Sequence, residues 1–182
     1  MLESKDSQQK IDAAKALAKT GDSEAIDVLG RALAHDNDPS VREAIADALG
    51  KSWNEAAVAP LAQSLTDDRS AAVRAAAAAA LGTTWSEGAV NPLLQALAND
   101  RDALVREQAA RALGSTAGEE AVAVLAQTLA QDPRWFVREA AAIAIGSIGG
   151  NDARDALVRA AETDSDPWVK EAGLMSILDL AK

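Results

Sequence analysis

The chain holds one histidine, His35, and no cysteine. A nucleophile activated by a base, or a metal site built on imidazole or thiolate, needs more than one such side chain. His35 stands in a slot that the rest of the chain fills with Asp67, Asn99, Gln131 and Thr163, so it reads as a solvated residue at a helix end. Two acidic turns, Asp36-Asn37-Asp38 and Asp164-Ser165-Asp166, resemble half of a calcium loop. They lack the glycine and the closing glutamate that such a loop uses, and helix capping accounts for them. No catalytic residue, metal or cofactor is expected, and the chain reads as non-enzymatic.

Charge and composition narrow the classes further. The net charge of -10 disfavours nucleic acid, whose phosphates are met by a basic surface. Residues Met1 to Asp6 carry no apolar run of the signal-peptide kind. No stretch approaches the roughly 20 apolar residues of a membrane span. A cytoplasmic location follows as an expectation.

Positioning comes from repetition. Val41-Arg42 returns 32 residues later as Val73-Arg74, then as Val105-Arg106 and Val137-Arg138, and finally as Val169-Lys170. An aspartate precedes each valine by five residues: Asp36, Asp68, Asp100, Asp132 and Asp164. Leu49-Gly50 returns as Leu81-Gly82, Leu113-Gly114 and Ile145-Gly146. A fixed period of this length is the mark of stacked supersecondary units. Alanine is abundant and alternating strand patterns are absent, so the class is all-α.

The period predicts an N-terminal capping helix within 1–21, from about Ser4 to Lys19, and one domain over 1–182. Helical pairs follow over about 22–53, 54–85, 86–117, 118–149 and 150–182. First helices start after Asp22, Asn54, Ser86, Gly118 and Gly150, and their stripes are of the type Ile26-Leu29-Leu33. Pro60 and Pro92 are expected inside first helices, bending them. Second helices should bury Val41, Ala44, Ala48, Leu49 and their copies, and end on a glycine C-cap. The last helix, from Trp168, holds more apolar residues than one stripe needs: Leu174, Met175, Ile177, Leu178 and Leu180.

Asp38-Pro39-Ser40-Val41-Arg42 followed by Ala46 to Gly50 resembles a HEAT repeat of the short class named after phycobilisome bilin lyases. The tetratricopeptide and ankyrin patterns, close in period, are not matched. The resemblance implies a right-handed α-solenoid, an α-α superhelix whose second helices line the concave face. It also implies a structural ladder in which Asp36, Asp68, Asp100, Asp132 and Asp164 bond with neighbouring arginines, Arg42 and Arg74 among them, or with backbone.

Positions left over on the second helices are the candidate partner-binding surface. One series runs Glu43, Ala75, Glu107, Glu139, Glu171; a second runs Asp47, Ala79, Arg111, Ile143, Met175. A third, at the helix starts, runs Ser40, Ala72, Leu104, Phe136, Trp168, beside Trp135. The last two become larger and more apolar toward the C-terminus. Together they suggest an apolar patch flanked by Arg106, Arg111, Arg138, Lys170 and the glutamates, since exposed aromatics and arginine favour interfaces. Closure of the solenoid over helix ends is the competing role for these aromatics. Trp53 and Trp85 share one position, elsewhere Gly21, Ala117 and Gly149; packing on a neighbouring repeat is expected, with a ligand-stacking ridge as the alternative.

The expected function is therefore a scaffold or adaptor for a protein or peptide, with self-association through the C-terminal helix as a further expectation. A bilin lyase of the phycocyanobilin type, or a pigment-handling subunit, is the rival reading. An engineered or excised repeat scaffold is a third; the divergence between repeats counts against a consensus design.

Overall fold

The computed structural model describes residues 6–180, and among them there is helix and no strand. Eleven α-helices run in chain order: α1 (Ser7–Ala18), α2 (Ser23–His35), α3 (Pro39–Gly50), α4 (Val58–Asp67), α5 (Ala71–Gly82), α6 (Val90–Asn99), α7 (Ala103–Thr116), α8 (Val122–Gln131), α9 (Trp135–Ile148), α10 (Asn151–Thr163) and α11 (Pro167–Leu180). The chain forms two compact units, Met1–Pro92 and Leu93–Lys182. In the first, α1 packs on α3 and α3 on α5, while α2 packs on α4. In the second, α7 packs on α9 and α9 on α11, while α8 packs on α10. Each unit thus has a layer of first helices and a layer of second helices, the arrangement of an α-solenoid.

Capping fixes the helix starts. The carboxylates of Asp6, Asp22 and Asp38 accept from the amides of Gln8, Ala25 and Ser40, satisfying donors that an α-helix leaves free. The helix expected from Ser4 begins at Ser7; Ser4 itself lies outside the described residues. Lys10 replaces the usual arginine of the repeat and bonds the Asp36 carboxylate at 2.7 Å.

Three local expectations are corrected. A turn of 3₁₀ helix precedes α4, α6 and α8, at Glu55–Ala57, Glu87–Ala89 and Glu119–Ala121. Pro60 and Pro92 therefore stand third in their α-helices, within the first turn, where a missing amide breaks no internal bond. The turn before α8 forms with Val124 at the equivalent place, so proline is not its cause. Next, Ala44 and its copies Ala76 and Gln108 are only half-buried, whereas the copy Ala140 is fully buried as expected. The fully buried face includes Ile45-Ala46, Ala77-Ala78, Ala109-Ala110 and Ala141-Ala142, because a second helix is covered by its own first helix and by neighbouring second helices.

The closing glycines are not terminators. Gly50 is the last residue of α3, and Gly114 and Gly146 lie inside α7 and α9. A Cβ on Gly50 would stand 2.8 Å from the Ala80 Cα; on Gly114 it would stand 2.9 Å from the Ala144 Cα. On Gly146 it would meet the Ser176 Cβ at 2.5 Å. These glycines let successive second helices approach at backbone distance, and alanine opposite them serves the same end. The buried leucines Leu29, Leu61, Leu93, Leu125 and Leu157 fill the space between the layers.

Candidate functional site

The ladder is bidentate. Arg42 donates from Nε and Nη2 to the Asp68 carboxylate at 2.7 and 2.9 Å, and from Nη1 to the Asp36 carbonyl at 2.8 Å. Arg106 repeats this on Asp132 at 2.7 and 3.1 Å, with Nη1 on the Asp100 carbonyl at 2.9 Å. Arg138 repeats it on Asp164 at 2.8 and 2.8 Å, with Nη1 on the Asp132 carbonyl at 2.9 Å. Arg74 donates to the Asp68 carbonyl at 3.0 Å. The same carboxylates accept a backbone amide two residues on, as Asp68 does from Ser70 at 2.8 Å and Asp100 from Asp102 at 2.8 Å.

Planar guanidinium against carboxylate is the strongest of the common ion-pair geometries. The Arg138 bond is the main cause that holds Asp164 below the usual carboxylate range, against the opposing effect of burial. Burial pushes Asp68 up, yet the Arg42 pair and the Ser70 amide pull it further down, so it too lies low. Bonding to their aspartates raises Arg42, Arg106 and Arg138. The acidic turns are thus committed to caps and ladder.

This ladder separates the positions that the sequence grouped as a binding surface. Arg106 and Arg138 are drawn into ion pairs at the repeat turns, away from the patch they were expected to flank. Arg111 is exposed on α7 and pairs with Glu107 at 3.0 Å. Lys170 is half-buried, with Nζ 3.4 Å from the Glu162 carbonyl. Trp135 and Phe136 pack edge to face at 5.9 Å between ring centres, and the Arg134 guanidinium lies 5.3 Å from the Phe136 ring. Neither aromatic lines the cleft described next.

That cleft, of about 480 Å³, lies between α9 and α11 and brings together Glu139, Ile143, Trp168, Glu171 and Met175. Ile143 is 42% exposed, Trp168 59% and Met175 56%. Gly146 and Ser176 also line it. Their close approach, and the Ser176 hydroxyl donating to the Ala142 carbonyl at 3.3 Å, hold the two helices together beneath the apolar side chains. Asp179 and Ser147 line it too, beside Ala172, and the sequence reading missed both polar residues. A full i, i+4 projection from Met175 and Ile143 would have found them. Along the same helix, Leu174 and Leu178 are exposed with Met175, whereas Ile177 and Leu180 are half-buried, so part of the apolar surplus of α11 is left uncovered among the described residues.

Trp53 and Trp85 correct another expectation. They do not pack on neighbouring repeats: their side chains are 83% and 68% exposed. Both have a left-handed backbone, with φ of 55° and 53°. The equivalent Gly21 and Gly149 have φ of 65° and 81°. The remaining equivalent, Ala117, is extended at φ -97°, so an alanine avoids the left-handed backbone that the two tryptophans adopt and that glycine takes freely.

His35 ends α2 in an exposed position. Among the described residues no group of three or more His, Cys, Asp or Glu is arranged to hold a metal ion. None of the described helices is long and apolar enough to cross a membrane.

A chain from the structure of the CpcE–CpcF complex of phycocyanin lyase from Nostoc sp. PCC7120 is similar in fold, with a TM-score of 0.72 at 23% identity, over 85% of this chain and 99% of that one. YibA of Escherichia coli matches with a TM-score of 0.68 at 24% identity, over 97% of this chain and 67% of that one. Human deoxyhypusine hydroxylase, solved with glycerol, matches with a TM-score of 0.60 at 21% identity, over 99% of this chain and 82% of that one. At these identities the likeness is one of fold. No curated protein matches the sequence significantly. The family model described as HEAT repeats matches residues 1–82 and 90–177. The chain, with its paired helices and its Asp–Arg ladder, belongs to the HEAT-repeat family.

Proposed function

We propose that this protein is a non-enzymatic scaffold that docks a protein or peptide on the second helices of the Leu93–Lys182 unit. The observation that carries this reading is the α9–α11 cleft, where Ile143, Trp168 and Met175 stay exposed on a backbone held rigid by close helix packing. A large aromatic beside a flexible thioether, on a rigid base, is the usual make-up of an interface anchor pocket. Glu139 and Glu171 on its rim favour a segment with an apolar anchor flanked by lysine or arginine.

The rival is a pigment-handling subunit, favoured by the likeness to the lyase complex. It asks for cations to meet the acid groups of a tetrapyrrole. Arg106 and Arg138 are engaged in the ladder, and the rim of the cleft is acidic, so the peptide reading has the better electrostatics. Affinity capture from lysate of the source organism, comparing wild type with Trp168→Ala/Met175→Ala, tests both readings. A protein retained by the first and lost by the folded second is the expected outcome. A visible absorption change on adding phycocyanobilin would favour the rival. Equal retention by both proteins would sink the cleft as the docking site, and a concentration-dependent dimer abolished by the same variant would make the partner a second copy through α11.

A further inference from the structure

We propose that Trp53 and Trp85, with Glu55 and Glu87, form a second recognition site, for a basic peptide segment that presents arginine or lysine side chains. The site lies wholly within the Met1–Pro92 unit and stands apart from the α9–α11 cleft.

The backbone gives the first reason. A bulky side chain at positive φ is disfavoured by its own Cβ, and glycine takes that position at Gly21 and Gly149 without strain. Two successive repeats carry tryptophan there instead. Neither ring is repaid by burial, since both stand mostly in water. Strain and exposed aromatic surface that add nothing to packing are features kept for contact with something else.

The surroundings say what that contact is. Both indoles line one cleft of about 550 Å³ together with Glu55 and Glu87. Each glutamate is exposed and lies two residues after its tryptophan, at the start of a 3₁₀ turn. Indole faces and carboxylates attract cations and repel anions alike. The nearest lysine in sequence, Lys51, pairs with Asp47 at 2.7 Å.

The turns that present the rings are fixed. Asn54 accepts from the Ala56 amide at 2.9 Å and donates to the Gly21 carbonyl at 2.9 Å. The Thr83 hydroxyl donates to the Gly50 carbonyl at 2.8 Å. Fixed turns lower the ordering cost of binding.

Spacing sets the peptide. Stacked helices lie about 8–10 Å apart, and a polyproline II chain advances about 3.1 Å per residue with about three residues per turn, so every third side chain returns to one face. Cations three residues apart would meet both rings. Arginine suits them better than lysine, because its flat guanidinium stacks on indole.

The test is fluorescence polarisation of a labelled Gly-Arg-Ser-Ser-Arg-Gly peptide with the full chain, beside the peptide with both arginines replaced by glutamate. Binding of the arginine peptide alone is expected, weakening as salt rises. Trp53→Gly/Trp85→Gly should weaken it by about tenfold or more, from two cation–π contacts. It should melt no lower than wild type, because glycine is the unstrained choice at this backbone. Glu55→Gln/Glu87→Gln should weaken binding with the indoles intact, and Trp168→Ala/Met175→Ala should bind as wild type, which keeps the site distinct from the α9–α11 cleft. No binding of the arginine peptide overturns the proposal. So does equal binding by Trp53→Gly/Trp85→Gly, equal binding of the acidic peptide, or a large loss of melting temperature in the glycine variant.

Discussion

The two units use one scaffold and place their aromatic residues differently. On the second helices of the first unit, the outward positions are Ser40, Glu43 and Asp47 on α3, then Ala72, Ala75 and Ala79 on α5. The same positions in the second unit hold Phe136, Glu139 and Ile143 on α9, then Trp168, Glu171 and Met175 on α11. At the turn after a second helix the contrast reverses. The first unit exposes Trp53 and Trp85, whereas the second has Ala117 and Gly149. The ladder and the close-packed glycines are alike in both: Arg42 on Asp68 matches Arg106 on Asp132, and Gly50 against Ala80 matches Gly114 against Ala144. What repeats is what stacks helices. What departs from the repeat, at exposed positions, is where binding is to be sought.

That contrast can be broken, and the largest effect is expected in the shared part. Val105 is fully buried on α7. Val105→Asp should cost about 4–5 kcal/mol by burying an unpaired charge, enough to unfold its unit in a circular dichroism melt, whereas Met175→Asp should change the melt by less than about 0.5 kcal/mol. Near-wild-type melting of Val105→Asp would overturn the buried face assigned to the second helices.

The ladder comes next. Arg138→Ala leaves the Asp164 carboxylate without its fork and should cost about 2–3 kcal/mol in urea denaturation. Arg111→Ala, at an exposed i, i+4 pair, should cost no more than about 0.5 kcal/mol. Equal costs would mean that the ladder is decoration. Acid adds a sign. Asp68 and Asp164 are lowered from 3.8, so their contribution is complete above that value and is lost as pH falls through the lower folded-state values. Melting temperature should decline below about pH 4, and less steeply in Asp68→Asn/Asp164→Asn.

A smaller loss is expected at the helix contacts. Gly114→Ala forces a Cβ toward the Ala144 backbone and should cost about 1–3 kcal/mol. A neutral result would mean that the close approach of α7 and α9 does not depend on that glycine.

Much of this could be read from the sequence because the period reports on packing. Each repeat meets the same neighbours, so Val41, Leu49 and Asp36 return wherever a helix must be buried or a turn tied. The repeat did not distinguish a glycine that ends a helix from one that admits a neighbouring backbone. Both follow a leucine at the end of an alanine-rich run, and only the partner helix tells them apart. Nor did residue type distinguish Arg106 and Arg138 from free interface arginines, since the fork to an aspartate 26 residues onward is a tertiary contact. Aromatics misled in the opposite direction. Burial is the default expectation for tryptophan, and it hid the exposure of Trp53 and Trp85, which stand where other repeats have Gly21, Ala117 and Gly149.

The most direct test of the division between stacking and exposed residues is one thermal melt. The protein carrying Trp53→Gly, Trp85→Gly, Trp168→Ala and Met175→Ala would be compared with wild type by far-ultraviolet circular dichroism. Surface residues predict an unchanged helix signal and a melting temperature within a few degrees of wild type, the glycines offsetting what the alanines lose. Core aromatics would cost about 3–5 kcal/mol each on truncation, and a loss of that size would contradict the assignment of these side chains to binding.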